Sequence, residues 1–211
     1  MPRRRRDRIL VAPAFNLNPF EAAGAIAGLL NLWLLRRQDI LCWPVGIACV
    51  LCFAWVFYQA RLYSDMLLQF VYIALQIWGW WLWTRAPVSR SVSHWRIARL
   101  SAKAWLVTLT VTAAGAAGLG ALMAANTRAD LPYWDATATA ISLAAQVLQA
   151  KKVLESWLVF MAGNLVFIGI YLDKSLYLTA VLFVVSTCVA ASGYRAWHVA
   201  AVAATRRQRQ M

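Results

Sequence analysis

LYSDMLLQFVYIALQIWGWWLW, residues 62–83, and LYLTAVLFVVSTCVAASGYRAW, residues 176–197, decide the fold. At a constant offset of 114, Leu62 and Tyr63 meet Leu176 and Tyr177, Gly79 meets Gly193, Trp80 meets Tyr194, and Trp83 meets Trp197. Working outward to the N-terminal side, Trp43 meets Trp157, Arg37 meets Lys151 and Glu21 meets Asp135 at the same offset. One coincidence would mean little, but rare residues aligned over about 60 positions without a gap indicate an internal duplication. Each copy holds three apolar stretches and a further one lies between them. Three plus one is an even number of crossings, so the second copy enters the membrane from the same side as the first, as in transporters built from parallel repeats.

Composition gives the same answer independently. The chain is 62% apolar and only 14% charged, with the charges gathered at the ends of apolar runs. The expected spans are 20–35, 40–59, 64–84, 104–125, 134–150, 156–172 and 175–197. Several approach the ~20 residues that a hydrocarbon core requires, and shorter ones need local thinning or snorkelling flanks. The runs lack the strict alternation of a transmembrane strand. The reading is an all-α polytopic protein with seven transmembrane helices in a 3+1+3 order. Its segments are a basic N-terminal stretch (1–19), a first three-helix repeat (20–84), a polar basic loop (85–103), a linker helix (104–125), a second repeat (134–197) and a basic tail (198–211).

A net charge of +13 raises the possibility of nucleic-acid binding, but the cations sit in short loops and no soluble domain exists to carry a basic face. Seven spans place 13 cations on the face with the C-terminus, among them Arg36, Arg37, Arg85, Arg99, Lys151, Lys152 and Arg206. The other face holds 8, five of them within the first eight residues. The positive-inside rule then sets the C-terminus in the cytoplasm and the N-terminus outside. The run Arg3–Arg6 opposes this assignment, unless it binds lipid headgroups or the segment before Pro19 folds back. Residues 9–17 are too short and broken for the apolar region of a cleavable signal peptide. The loop 85–103 mixes Arg with Trp95, Ile97 and Leu100, which suggests an amphipathic interfacial piece.

Enzyme chemistry finds little support. His94 and His198 have no carboxylate or cysteine at ligand spacing. Cys49 and Cys52 lie inside an apolar helix and, like Cys42 and Cys188, read as packing residues. Gly24 and Gly28 form a GxxxG pattern suited to close helix approach. No metal and no cofactor are expected.

Polar residues inside the spans are costly in lipid and are expected to face the protein interior. On the third span Asp65, Gln69, Tyr72, Gln76, Trp80 and Trp83 recur every three or four residues and share one stripe. On the sixth, Trp157, Phe160 and Asn164 do the same, while Asn31, Gln146 and Gln149 add amides. Facing stripes of aromatics and amides make a slot for a flat ring with polar substituents. Trp43, Trp83 and Trp197, near span ends, are expected to mark the lipid interface, whereas Gln76 and Asn164, mid-span, are expected in the site. All eight acids lie in loops or at span ends, so no proton coupling is expected, and Glu21 and Asp135 are read as capping the helices that follow them.

At this point a family resemblance can be stated. EAAGAIAGLLNLWLL, WPVGI and FYQARLYSDMLLQFVYIALQIWGWWLW resemble the first half of the PnuC vitamin transporters. LPYWDATATAISLAAQVLQAKKVLESWLVFMAGN and LYLTA resemble the second. The likeness covers roughly residues 18–197. It implies a fold similar to the sugar-transporting SWEET proteins, a homotrimer, and facilitated uptake of nicotinamide riboside trapped by a cytoplasmic nucleoside kinase. It also implies a substrate site at Gln69, Tyr72, Gln76, Trp80, Trp157, Phe160 and Asn164. The family's W-x-x-W motif is carried here by Trp157 with Phe160 in its second place. Thiamine and, more distantly, riboflavin are alternative substrates, and a membrane scaffold or receptor subunit without transport is the alternative class.

Overall fold

The structure is a computed structural model and describes residues 19–59, 61, 63–85, 97–126, 131–173 and 177–210. The N-terminal arginines, His94, Trp95, Arg128 and Lys174 lie outside the described residues. Seven helices follow in order: α1 (Pro19–Arg36), α2 (Cys42–Gln59), α3 (Tyr63–Thr84), α4 (Ala102–Asn126), α5 (Pro132–Ala150), α6 (Ser156–Asp173) and α7 (Tyr177–Arg209). Their apolar residues run around much of each surface, and large side chains such as Ile26, Leu67, Leu106, Val111 and Leu165 stand exposed. In water such a belt would be unstable; facing hydrocarbon it has no cost, and the backbone hydrogen bonds close within each helix.

Among the described residues, five helices are long and apolar enough to cross a membrane, α1 and α5 not being among them. Both carry polar groups, Glu21 and Asn31 on α1, and Asp135, Ser142, Gln146 and Gln149 on α5. Packing accounts for this in α5, which is flanked by α3, α4 and α6. Its buried face includes Ala136, Ala138, Ala145, Leu148 and Gln149. The last helix extends to Arg209, twelve residues beyond the expected span, because the Ala-rich stretch after Trp197 has strong helix propensity.

The helices close a ring. Within each half neighbours pack in sequence, α1 on α2 on α3 and α5 on α6 on α7. The halves meet along two seams, α1 with α7 and α3 with α5. Exchanging α1 for α5 and α7 for α3 turns one seam into the other, so the duplication operates as an approximate two-fold axis. Outside the ring, α4 packs against α5 alone. Gly24 and Gly28 do admit a close neighbour: Cys52 and Phe53 of α2 press on the first, and the Cys49 sulfur on the second.

The symmetry reaches single hydrogen bonds where α1 turns into α2 and α5 into α6. Gln38 N–H donates to the Leu35 carbonyl and Asp39 N–H to that of Leu34; Lys152 N–H donates to Gln149 and Val153 N–H to Leu148. This paired 5→2 and 6→1 pattern is a Schellman cap. Its left-handed residue is Gln38 at φ 58° in one half and Lys152 at φ 51° in the other. Neither is glycine, so both turns hold backbone that an L residue adopts at a cost. The described end of the basic loop is extended. Ala98 pairs in parallel with Val153, and the Leu100 N–H donates to Glu155 Oε2 at 3.0 Å, clasping the α5–α6 turn.

Candidate functional site

Two layers lie inside the ring. The first, at the end where α1, α3 and α5 finish, is aromatic and symmetric. Trp43 lies against Gly79, and Trp157 lies against Gly193 in the same way, three of its ring atoms 2.6–2.8 Å from where a Cβ would stand. Only glycine permits either approach. Trp43 meets Trp83 edge-on at 5.3 Å and 81°, and Trp157 meets Trp197 at 5.5 Å and 89°. Trp83 and Trp197 then touch each other across the axis, with centroids 6.4 Å apart. Each reaches over its seam: Trp83 Nε1–H donates to the Ala150 carbonyl at 3.0 Å and Trp197 Nε1–H to that of Leu35 at 3.1 Å.

This corrects one expectation. Trp43, Trp83 and Trp197 do not mark the lipid interface; they are buried, Trp197 completely, at the meeting of the halves. Helical spacing near a span end is the same for a tryptophan facing lipid and one facing a neighbouring helix. The signal that separates them for Trp43 is the glycine on the next helix, Gly79, as Gly193 is for Trp157. Trp157, expected in the substrate slot, also belongs to this layer. It has no accessible surface, and its Nε1–H, like that of Trp43, is buried without a partner. Phe160 packs on the edge of the same cluster.

The second layer, at mid-span, is polar and asymmetric. The amides of Gln76 on α3 and Asn31 on α1 converge on Gly46 of α2: Asn31 Nδ2 lies 2.7 Å from where a Gly46 Cβ would stand, and Gln76 Nε2 closer still. Asn31 donates to the Cys42 carbonyl. Gln76 is buried and its Oε1 has no partner. Tyr72 approaches Ser142 across the α3–α5 seam. Ser142 in turn faces Gly163, next to Asn164, whose Nδ2 donates to Thr187 Oγ1 at 3.2 Å. Gln149 Nε2 also has no partner, but it is buried at the end of α5, beside the aromatic layer. Of the expected residues, Tyr72, Gln76 and Asn164 therefore sit inside the ring with bonded or unbonded polar groups, and Gln69 is half-buried on the same helix. Trp80 is not brought together with them. It is 39% exposed, and the buried line of α3 runs instead through Gln76, Gly79 and Trp83. Asn31 and Gly46 were absent from the expected site; the pairing of a polar span residue with a glycine on the next helix was the available signal.

The 114-residue offset now separates the layers. At the sealed end it preserves residue type, Trp on Trp and Gly on Gly. At mid-span it does not: Asn31 corresponds to Ala145, Gly46 to Phe160, Gln76 to Ala190 and Asn164 to Val50. Sealing two similar halves favours like residues. A ligand without two-fold symmetry demands unlike ones. Buried polar atoms with no partner are rare and expensive in native proteins, so Gln76 Oε1 marks where a polar ligand would find a hydrogen bond. A further apolar cleft of about 320 Å³ lies elsewhere, between α5 and α6, lined by Trp134, Leu165, Gly169 and Asp173 among others. Among the described residues no three metal-ligating side chains converge.

Comparisons with known proteins give the family and the fold. The family model described as nicotinamide mononucleotide transporter matches residues 18–199. The nicotinamide riboside transporter PnuC of Escherichia coli strain K12 is 27% identical over 209 residues, covering 88% of this chain and 87% of that protein. A protein of the same name from Neisseria mucosa is 24% identical over 200 residues, covering 88% and 75%. The crystal structure of the vitamin B3 transporter PnuC superposes with a TM-score of 0.71 at 20% identity, covering 86% of this chain and 81% of that one.

Proposed function

The chain belongs to the nicotinamide mononucleotide transporter family, a multi-pass membrane vitamin transporter and not an enzyme, and on that premise we propose that it carries nicotinamide riboside by facilitated diffusion. The observation that carries this reading is the asymmetric amide layer, with Gln76 Oε1 buried and unpartnered inside the ring. A scaffold would gain nothing from that costly polarity. The carboxamide and ribose hydroxyls of the riboside supply the donors and acceptors these amides lack. A phosphorylated nucleotide is a poorer fit, because its phosphate brings about two negative charges and the mid-span polar groups are neutral amides and hydroxyls.

The substrate contacts are Gln69, Tyr72, Gln76 and Asn164, joined by Asn31, with Phe160 and Trp157 exposed to it when the aromatic layer parts. The protein lies in a bacterial inner membrane with its C-terminus in the cytoplasm, in keeping with the cation excess on that face. Two repeats, residues 20–84 and 134–197, rock about the amide layer, joined by the loop 85–103 and the linker 104–125. A cytoplasmic kinase traps the riboside by phosphorylation, and resemblance to the family supports a homotrimer. Phe160, in the place of the second family tryptophan, keeps thiamine as the second reading.

Two measurements test this. Purified protein titrated with nicotinamide riboside, thiamine and riboflavin should bind the riboside most tightly; tightest binding of thiamine would replace the substrate assignment. Proteoliposomes containing this protein alone should fill with riboside to the outside concentration and stop, whatever proton or sodium gradient is imposed. Accumulation beyond that level, collapsing with an ionophore, would overturn facilitated diffusion.

A further inference from the structure

We propose that Lys152 is the latch of a gate that closes the transport pathway on the face carrying the C-terminus, an inference that rests on the transport reading above. Among the described residues, four of the ties between the halves at this end bear on it. Two are the tryptophan N–H bonds to Ala150 and Leu35, and the third is the Trp83–Trp197 contact. The fourth joins equivalent residues of the duplication: Lys152 Nζ donates to Gln38 Oε1 at 3.3 Å, with a sequence separation of 114. Two positions related by a two-fold operation can meet only at its axis, so this bond lies where a pathway between the halves would emerge.

Three properties set Lys152 apart from a structural cation. Its side chain is buried, 6% exposed, and its ammonium sits 4.3 Å from the centroid of the Trp83 ring. Both it and Gln38 occupy left-handed backbone, and such strained residues gather at switches. Burial lowers the pKa of the ammonium from its ordinary value, the expected sign for a charge held away from water. A desolvated charge held by contacts that parting of the halves would break is suited to two states. Closed, it has the Trp83 face and the Gln38 carbonyl; open, it regains water. The losses and gains offset each other, which keeps the states close in free energy, as a carrier requires. Lys152 is thus a positioning residue for the gate, with no contact to substrate required.

Cys42 provides a native reporter. It is 1% exposed and adjoins Trp43 in sequence. In a Cys49→Ala/Cys52→Ala/Cys188→Ala background, a membrane-impermeant maleimide is applied to the face with the C-terminus. Lys152→Met should raise the Cys42 labelling rate about tenfold, a typical coupling magnitude, and Lys152→Arg should restore slow labelling. Because removing a nearby cation by itself slows thiol alkylation, the rate is scored relative to that of a small permeant maleimide, and an unchanged or lower ratio in Lys152→Met overturns the proposal. If that variant does not fold, Gln38→Ala removes the same hydrogen bond and must accelerate labelling, with an unchanged rate again decisive. As an independent arm, a disulfide in Gln38→Cys/Lys152→Cys should stop riboside flux and reduction should restore it; flux through the cross-linked protein overturns the gate. Labelling needs no substrate, so absence of riboside flux in the parent protein would count against the transport reading alone.

Discussion

Gly193→Ala would place a methyl group 2.6–2.8 Å from the Cζ2, Cζ3 and Cη2 atoms of Trp157. Ordinary contact begins near 3.4 Å, so the ring must retreat by about 0.7 Å, a distance over which van der Waals repulsion rises steeply. It has nowhere to go, being wholly buried and boxed in by the Trp197 edge at 5.5 Å. Two terms of opposite sign compete. Alanine in a helix interior gains about 1 kcal/mol over glycine, whereas overpacking a closed core costs about 1–3 kcal/mol. The clash should win, and thermal unfolding of the purified protein in detergent should move down by about 3–6 °C for a net loss of about 1.5 kcal/mol. Trp157→Phe withdraws the offending ring atoms, so the double variant should be more stable than the two single changes added together, by at least about 1 kcal/mol of coupling. Gly115→Ala on α4, with nothing within 4 Å, is the control and should be neutral or slightly stabilising. Additive effects in the double variant, or a Gly193→Ala protein as stable as the parent, would refute the packing argument.

Gln76→Leu should weaken riboside binding about tenfold, the loss of roughly one hydrogen bond, without lowering the unfolding temperature, since the replaced oxygen is already unpartnered; unchanged affinity by titration would remove Gln76 from the site. Gly46→Ala drives a methyl into both the Asn31 and Gln76 amides and should abolish measurable binding while the protein stays monodisperse by size exclusion; retained binding would displace the pocket from this corner. Phe160→Trp should be tolerated if the chain carries the riboside, and a switch of the preferred vitamin in competition binding would instead make position 160 the discriminator.

Much of the architecture was legible because tryptophan and glycine are rare enough for their spacing to survive as a signature of duplication. Trp43, Gly79 and Trp83 recur as Trp157, Gly193 and Trp197, and the structure shows each trio packed alike. What that spacing could not give was the neighbour. A helical stripe fixes direction within one helix, so Trp80 and Gly79 were equally eligible for the interior until α2 supplied a ring that only a glycine could receive. The pairing of Gln38 with Lys152 was hidden for another reason: the residues differ in kind, and their meeting depends on both turns adopting the same left-handed cap. The amide layer was half visible. Gln76 and Asn164 stood out as costly groups in lipid, but Asn31 and Gly46 become a site only when α1, α2 and α3 are brought together.

The clasp at Ala98 and the solitary contact of α4 with α5 bear on where this molecule divides. Everything from residue 97 onward, including the joining helix that is neither copy, is fastened to the second half. The last helix of the first half stops at Thr84, and among the described residues its helices meet those of the remainder along the two seams. By their contacts the described helices fall into two groups of unequal size, three against four, and the border between them falls before α4 instead of at its middle. A gene broken between the codons for Arg85 and Ile97 would be cut along that border, leaving the described contacts within α1–α3 on one product and those within α4–α7 on the other.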